Sequence, residues 1–149
     1  MLEIERSIQT QKNENRSVCH SMLYNSIPRT MVCEFITRGN SFLNAFGNAQ
    51  NLANGPTPRN IFDNLPHVDY NDLKYDFGEY VQLHSEELRT NTMAARSVSA
   101  IVMGPRDLQE RYNYISLETC HAINCRVVAR FPITDDVIAR VEDLGRERG

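Results

Sequence analysis

The stretch SVSAIVM, residues 97–103, decides the fold of this chain. It is rich in β-branched residues, and its apolar residues alternate, which is typical of a strand. Three more stretches have a similar pattern: YDFGEYVQLH (75–84), NYISLET (113–119) and AINCRVVARF (122–131). Residues 119–122 are the expected turn between the last two stretches. We therefore expect four or five short strands in a small barrel or curled sheet.

The residues before these strands have helical periodicity instead. Residues 3–18 predict a weakly amphipathic surface helix, because the polar stretch QTQKNENRS interrupts the apolar positions. A stronger helix is expected up to Gly47, with Ser26 as its cap and Pro28 in its first turn. Its apolar residues keep helical spacing, so it is the best candidate for a core helix.

Two shorter signals complete the order of elements. Thr57 and Pro58 predict a short turn of helix through Phe62. Thr134 is placed to cap a final helix whose first turn is acidic and whose end carries two arginines. The predicted class is α+β, and the composition changes near residues 66–76. The expected units are helices over 1–47, a linker with a short helix over 48–75, a β-rich domain over 76–133 and a helix over 134–149.

Charge limits the function classes that the chain can belong to. Its 149 residues include 16 Lys and Arg against 19 Asp and Glu, for a net charge of -3. This balance argues against a strong nonspecific nucleic-acid binder, which needs surplus cations to neutralise phosphates. Residues 89–130 are an exception, with six Arg against three acids. That segment is either a solvated sheet surface or a phosphate-binding face.

The four cysteines are expected to be thiols in an intracellular protein, in the nucleus or the cytoplasm. No apolar run approaches the roughly 20 residues that span a bilayer, and the first residues do not resemble a secretory signal. The Cys and His spacings match no usual zinc pattern. We expect Cys33 to be a small buried residue of the second helix, and Cys120 and His121 to lie in a turn.

A series of phrases, in order along the chain, resembles the integrase region of copia-type retrotransposon polyproteins. They are IERSIQT (4–10), IPRTMVCEFITRGNSFLNAF (27–46), GPTPRNIF (55–62), VDYNDLKYDFGEYVQLH (68–84), NTMAARSVSAIVMGP (91–105), YNYISLET (112–119) and FPITDDVIARVEDL (131–144). The resemblance implies helices from the end of an RNase H-like catalytic core, then a retroviral-polymerase SH3-like β-barrel and a C-terminal helix.

The resemblance assigns Glu5 to the last carboxylate of the family's DDE catalytic triad. In the intact enzyme, three carboxylates hold divalent ions, expected to be Mg²⁺, for phosphoryl transfer. The two aspartates belong to strands that would precede this chain, so we expect a fragment without catalytic activity and without a cofactor or metal of its own. The expected partners are the rest of the polyprotein and DNA, with no membrane. Self-association is also expected, because a truncated core leaves an apolar helix face uncovered.

Any nucleic-acid contact is expected from Arg96, Arg126 and Arg130, because guanidinium groups on adjacent strands can grip phosphates. The residues Tyr80, Tyr112 and Tyr114 either stack on bases or belong to the core. The alternative to the integrase fragment is a non-catalytic SH3-like module that binds nucleic acid or protein.

The chain also departs from the family at four places. It reads PRDLQERY (105–112) where relatives have a glycine-rich hairpin loop. It has Cys120 where Gly is usual, Val128 where Trp is common and Gln9 where Arg is expected.

Overall fold

The computed structural model describes residues 2–46, 55–68, 73–84, 93, 96–105, 112–125 and 128–148. These residues form a mixed α+β fold. Its elements are α1 (Leu2–Ser21), α2 (Arg29–Ala45), α3 (Pro58–Phe62), β1 (Tyr80–His84), β2 (Ser97–Pro105), β3 (Tyr112–Ser116), β4 (Ala122–Cys125), β5 (Val128–Arg130) and α4 (Asp135–Arg148). No helix in these ranges is long and apolar enough to cross a membrane.

The five strands form one antiparallel sheet in the order β4-β3-β2-β1-β5. The first four strands are a meander, and β5 returns to the free side of β1, where Val81 lies opposite Arg130. The sheet is open, because no pairing joins β4 to β5 among the described residues. A closed barrel, one of the two expected forms, is therefore not formed there.

Chain connectivity nevertheless forces the open sheet to curl. In a flat sheet the two edge strands would lie about 19 Å apart, at four strand spacings. Only two residues separate the end of β4 from the start of β5. Three Cα steps reach at most about 11 Å, so Cys125 and Val128 must bring the two edges together at that point.

Alternation along the strands divides the apolar side chains between two faces. The inner face of the curl is filled by Val81, Leu83, Ala100, Val102, Tyr112 and Tyr114. The outer face contributes Tyr80, Ile101, Met103 and Ile115 to a second cluster, which α2 and α4 complete. Residues from the predicted units 1–47, 76–133 and 134–149 thus share one core.

Helix α2 is confirmed as a core helix, since Met31 and Phe35 are buried in the outer cluster. Its start differs from the expectation. The N-cap is Pro28, which makes no side-chain cap hydrogen bond, and Ser26 lies outside the helix. The prediction of a buried Cys33 is also wrong, because its position on α2 faces solvent, away from the side that carries Met31 and Phe35.

The helix α4 lies unusually close to the segment that precedes α2. A Cβ at Gly145 would lie 2.6 Å from Ser26 Oγ and 2.9 Å from Ile27 N. Both distances are shorter than van der Waals contact, so glycine is what permits this approach. Val141 and Leu144 on the same helix reach the sheet.

The helix α1 is the surface helix that its polar stretch predicts, with no buried residue. It lies along α2, where Gln11 donates a hydrogen bond to Asn40 Oδ1 and Asn15 faces Gly39. Short α3 has the capping box that its sequence suggests: Asn60 N donates to Thr57 Oγ1, and Thr57 N donates to Asn60 Oδ1.

Candidate nucleic-acid interface

Arg130 lies at the end of edge strand β5, in a corner that is formed with the turn before β1. Its Nε is 3.4 Å from Glu79 Oε1, and its guanidinium carbon is 4.7 Å from the centroid of the Tyr75 ring. The Arg130 side chain is 55% exposed. An exposed ion pair is worth at most about 1 kcal/mol, so a phosphate can compete with Glu79 for this cation.

The corner is held in place from below by aromatic packing. Tyr75 packs edge-on against Tyr112 at a centroid distance of 5.1 Å. The Tyr112 hydroxyl accepts a hydrogen bond from Lys74 N at 2.6 Å. Glu79 Oε2 accepts another from Asp76 N at 3.1 Å, which fixes the carboxylate. The Arg130 guanidinium therefore has a defined position.

Arg96 is exposed and directly precedes β2, at the end of the sheet where Ser97 pairs with His84. We expected Arg96 and Arg130 on adjacent strands. This expectation is wrong, because β1 lies between β2, which follows Arg96, and β5, which carries Arg130. Strand geometry separates the two Cα atoms by roughly 15 Å. The Arg96 and Arg130 side chains would therefore contact different phosphates instead of binding the same one. Arg126 lies outside the described residues.

The three tyrosines considered for base stacking are core residues. Tyr112 and Tyr114 fill the inner face of the curl, and Tyr80 packs in the outer cluster. The Tyr80 hydroxyl also lies 3.1 Å from Ser99 Oγ. Their rings are therefore not open to a base, and the core alternative holds.

Glu5 is exposed in the first turn of α1, where Glu3 is also located. Negative charge at a helix N-terminus is favoured by the helix dipole. Within the described ranges, no three His, Cys, Asp or Glu side chains are grouped so that they could hold a metal ion. The described residues by themselves therefore supply no set of three ligands for Mg²⁺, and the role of Glu5 stays a prediction.

Cys120 and His121 lie in a tight turn, as expected. Cys120 N donates to Ser116 O at 2.9 Å, and Ser116 N donates to His121 O at 3.0 Å. Cys120 has a φ of 57°, in the left-handed region that favours glycine. Glycine would adopt this backbone conformation without the steric cost that a Cβ brings.

Sequence reasoning missed Tyr75 and Glu79 as partners of Arg130. The strand pattern around YDFGEYVQLH was visible, but the pairing of β5 with β1 was not, and that pairing creates the corner. Nothing in the sequence indicates that Glu79, one position before β1, forms an ion pair. No protein-family model, curated protein or solved structure matches the chain.

Proposed function

We propose that the chain is a non-catalytic part of the integrase region of a copia-type retroelement, in which the curled sheet helps to position DNA. The observation that carries the proposal is the strand order. A four-strand meander whose fifth strand returns to β1 supports the proposal, because the resemblance implies a small β-rich domain in this part of the chain. The phrases that resemble the family run through the same elements, from α1 to α4.

The proposed role is binding rather than chemistry. Phosphoryl transfer of this kind needs several carboxylates around divalent ions, and the resemblance supplies Glu5 alone. Glu5 would complete a site only next to a partner segment that carries the two aspartates. The RNase H-like origin of α1 and α2 is part of the same proposal and rests on their phrases.

For DNA, the proposal uses Arg130 in its corner and Arg96 at the far end of the sheet. Their separation of roughly 15 Å suits two phosphates along a duplex rather than one. The contact would be weak and independent of base sequence, because it involves phosphates and because Glu79 competes for Arg130.

Fluorescence anisotropy with a short labelled duplex tests this role. We expect Arg96→Gln and Arg130→Gln each to weaken binding and to lower the salt slope by about 1. The matched control is Arg148→Gln, which removes the same charge from the exposed end of α4. Equal affinities for all four proteins would overturn the assignment of the interface.

The alternative is a non-catalytic SH3-like module that binds nucleic acid or protein. Binding to protein is favoured by the net charge of -3 and by the ion pair of Arg130. The reading frame that flanks the gene separates the two. Two aspartate motifs and a Cys/His zinc module upstream would support the retroelement. An independent start with unrelated neighbours would support the module.

A further inference from the structure

A cavity of about 460 Å³ lies between α1, α2 and the turn before β1, the same turn that carries Tyr75 and Glu79 of the Arg130 corner. Val18, Phe35 and Phe77 provide apolar wall, and Glu14 and Asp76 carry carboxylates to its rim. Arg38 extends from α2 into the same space. The volume is in the range of small-molecule sites, which is roughly 300–1,000 Å³.

The guanidinium of Arg38 is fixed in this cavity by its neighbours. Its carbon lies 5.0 Å from the centroid of the Phe42 ring and 5.6 Å from that of Phe77. The aliphatic part of the Arg38 side chain packs against the backbone of Gly104, since a Cβ at that position would lie 3.1 Å from Arg38 Cδ. Aromatic contacts of this kind involve the flat faces of a guanidinium and leave its N–H edges free.

Those N–H edges have no acceptor in the described part of the chain. Arg38 forms no hydrogen bond and no ion pair there, and its side chain is partly buried. Burial lowers the pKa of Arg38, and the charge of Asp76 acts in the opposite direction. Arg38 is not among the described residues with a fully buried, unpartnered side-chain nitrogen, so its N–H groups can be reached from solvent. A ligand with a planar pair of acceptors could therefore replace water at this charged edge.

The carboxylates at the rim restrict which ligand can do so. In the described ranges, neither Glu14 nor Asp76 forms an ion pair. A simple anion on Arg38 would be repelled by both carboxylates, and a simple cation beside them would be repelled by Arg38. A ligand that carries both charges is attracted at each end.

We propose that this cavity binds a small zwitterion of the amino-acid class, best matched by a dipeptide with apolar side chains. The ligand carboxylate accepts two hydrogen bonds from the edge of Arg38. Its ammonium group lies toward Glu14 and Asp76. Its apolar side chains pack on Val18 and Phe35, which line the cavity. The side chains proposed to bind this ligand differ from those proposed to contact DNA.

Calorimetric titration with three related ligands tests the charge pattern. The zwitterion leucyl-leucine should bind, and its N-acetyl and C-amide derivatives, which keep one charge each, should bind at least about tenfold more weakly. No heat from leucyl-leucine up to about 10 mM, or equal affinity for all three ligands, would overturn the proposal.

Variants of the chain locate the site. Arg38→Gln should weaken leucyl-leucine at least about tenfold, and Glu14→Gln about threefold, since Glu14 is exposed and shares its role with Asp76. Arg148→Gln is the charge-matched control and should bind like the wild type. Because Glu14→Gln changes an exposed group, it keeps the test valid if Arg38→Gln does not fold. Unchanged affinity in Glu14→Gln, and also in Arg38→Gln if that variant folds, would contradict the site.

Discussion

The hydroxyl of Tyr24 donates a hydrogen bond to the carbonyl of Gly78 at 2.8 Å. Tyr24 lies between α1 and α2, and Gly78 lies in the turn before β1, so this bond ties the helices to the sheet. The same glycine donates its N–H to Val102 O at 2.9 Å and has a φ of 83°. Gly78 is therefore a point where a helix connection, a turn and the central strand β2 meet.

Removing that hydroxyl should lower the free energy of unfolding. We expect Tyr24→Phe to cost about 1 kcal/mol, because the ring stays in place while the Gly78 carbonyl loses its donor. Urea unfolding followed by circular dichroism measures the change. A variant as stable as the wild type would show that water replaces the hydroxyl without cost.

The same residue predicts a loss of stability at alkaline pH. Burial raises the pKa of Tyr24 to about 12 from its ordinary 10.0. Below pH 10.0 the phenol is neutral in the folded and the unfolded chain, so its contribution is complete. Between 10.0 and about 12 the unfolded chain ionises first, and stability falls as the pH rises. Tyr24→Phe should lose less stability over this range than the wild type, and an equal loss would argue against the assignment to Tyr24.

Gly145→Ala should destabilise the protein although alanine is the better helix former by about 1 kcal/mol. The new methyl group would collide with Ser26 and with Ile27 N, and α4 would have to move away from the core. Overpacking of this kind costs about 1–3 kcal/mol. Thermal unfolding measures it, with Glu147→Ala on the exposed side of α4 as the control. A stabilised Gly145→Ala would mean that α4 lies farther from Ser26.

At Cys120 glycine should be more stable than alanine. Both substitutions remove the buried thiol, but only glycine adopts the φ of 57° without steric strain. We expect Cys120→Gly to unfold with a free energy about 1 kcal/mol higher than Cys120→Ala. In a regular helix alanine is more stable than glycine. A higher stability of Cys120→Gly would therefore indicate the left-handed conformation at this position. Equal stabilities would indicate that the turn rearranges.

Glu79→Gln should strengthen DNA binding. The amide keeps an oxygen that can accept the hydrogen bond from Asp76 N but no longer holds Arg130 as an ion pair. The gain should be up to about fivefold, since an exposed pair is worth at most about 1 kcal/mol. Anisotropy with labelled duplex measures it, and Glu118→Gln, which removes an exposed carboxylate from the turn before β4, is the charge-matched control. An equal gain in both variants would point to net charge and not to the corner.

Local patterns predicted the elements well. The helical periodicity, the capping residue Thr57 and the alternation in SVSAIVM led to helices and strands close to those observed. Each of these signals lies within a few residues, where backbone geometry and side-chain spacing act directly. The start of α2 was misplaced because Ser26 has the chemistry of a cap but stands two residues before the actual N-cap, Pro28.

Long-range arrangements were beyond such patterns. Nothing in the sequence around Arg38 reveals Phe77 as its neighbour, because the two meet only when α2 packs on the sheet. The pairing of β5 with β1 is another example, and it placed Arg130 beside Glu79 instead of on a strand adjacent to Arg96. The exposed position of Cys33 depends in the same way on which face of α2 meets the core.

The central claim, that the sheet presents cations to DNA, is tested most directly by the affinity of the wild-type chain for a labelled duplex at two salt concentrations. With one or two phosphates neutralised, Kd should rise about 3- to 12-fold between about 50 and 200 mM salt. Binding that does not depend on salt, or no binding at the lower concentration, would contradict the claim.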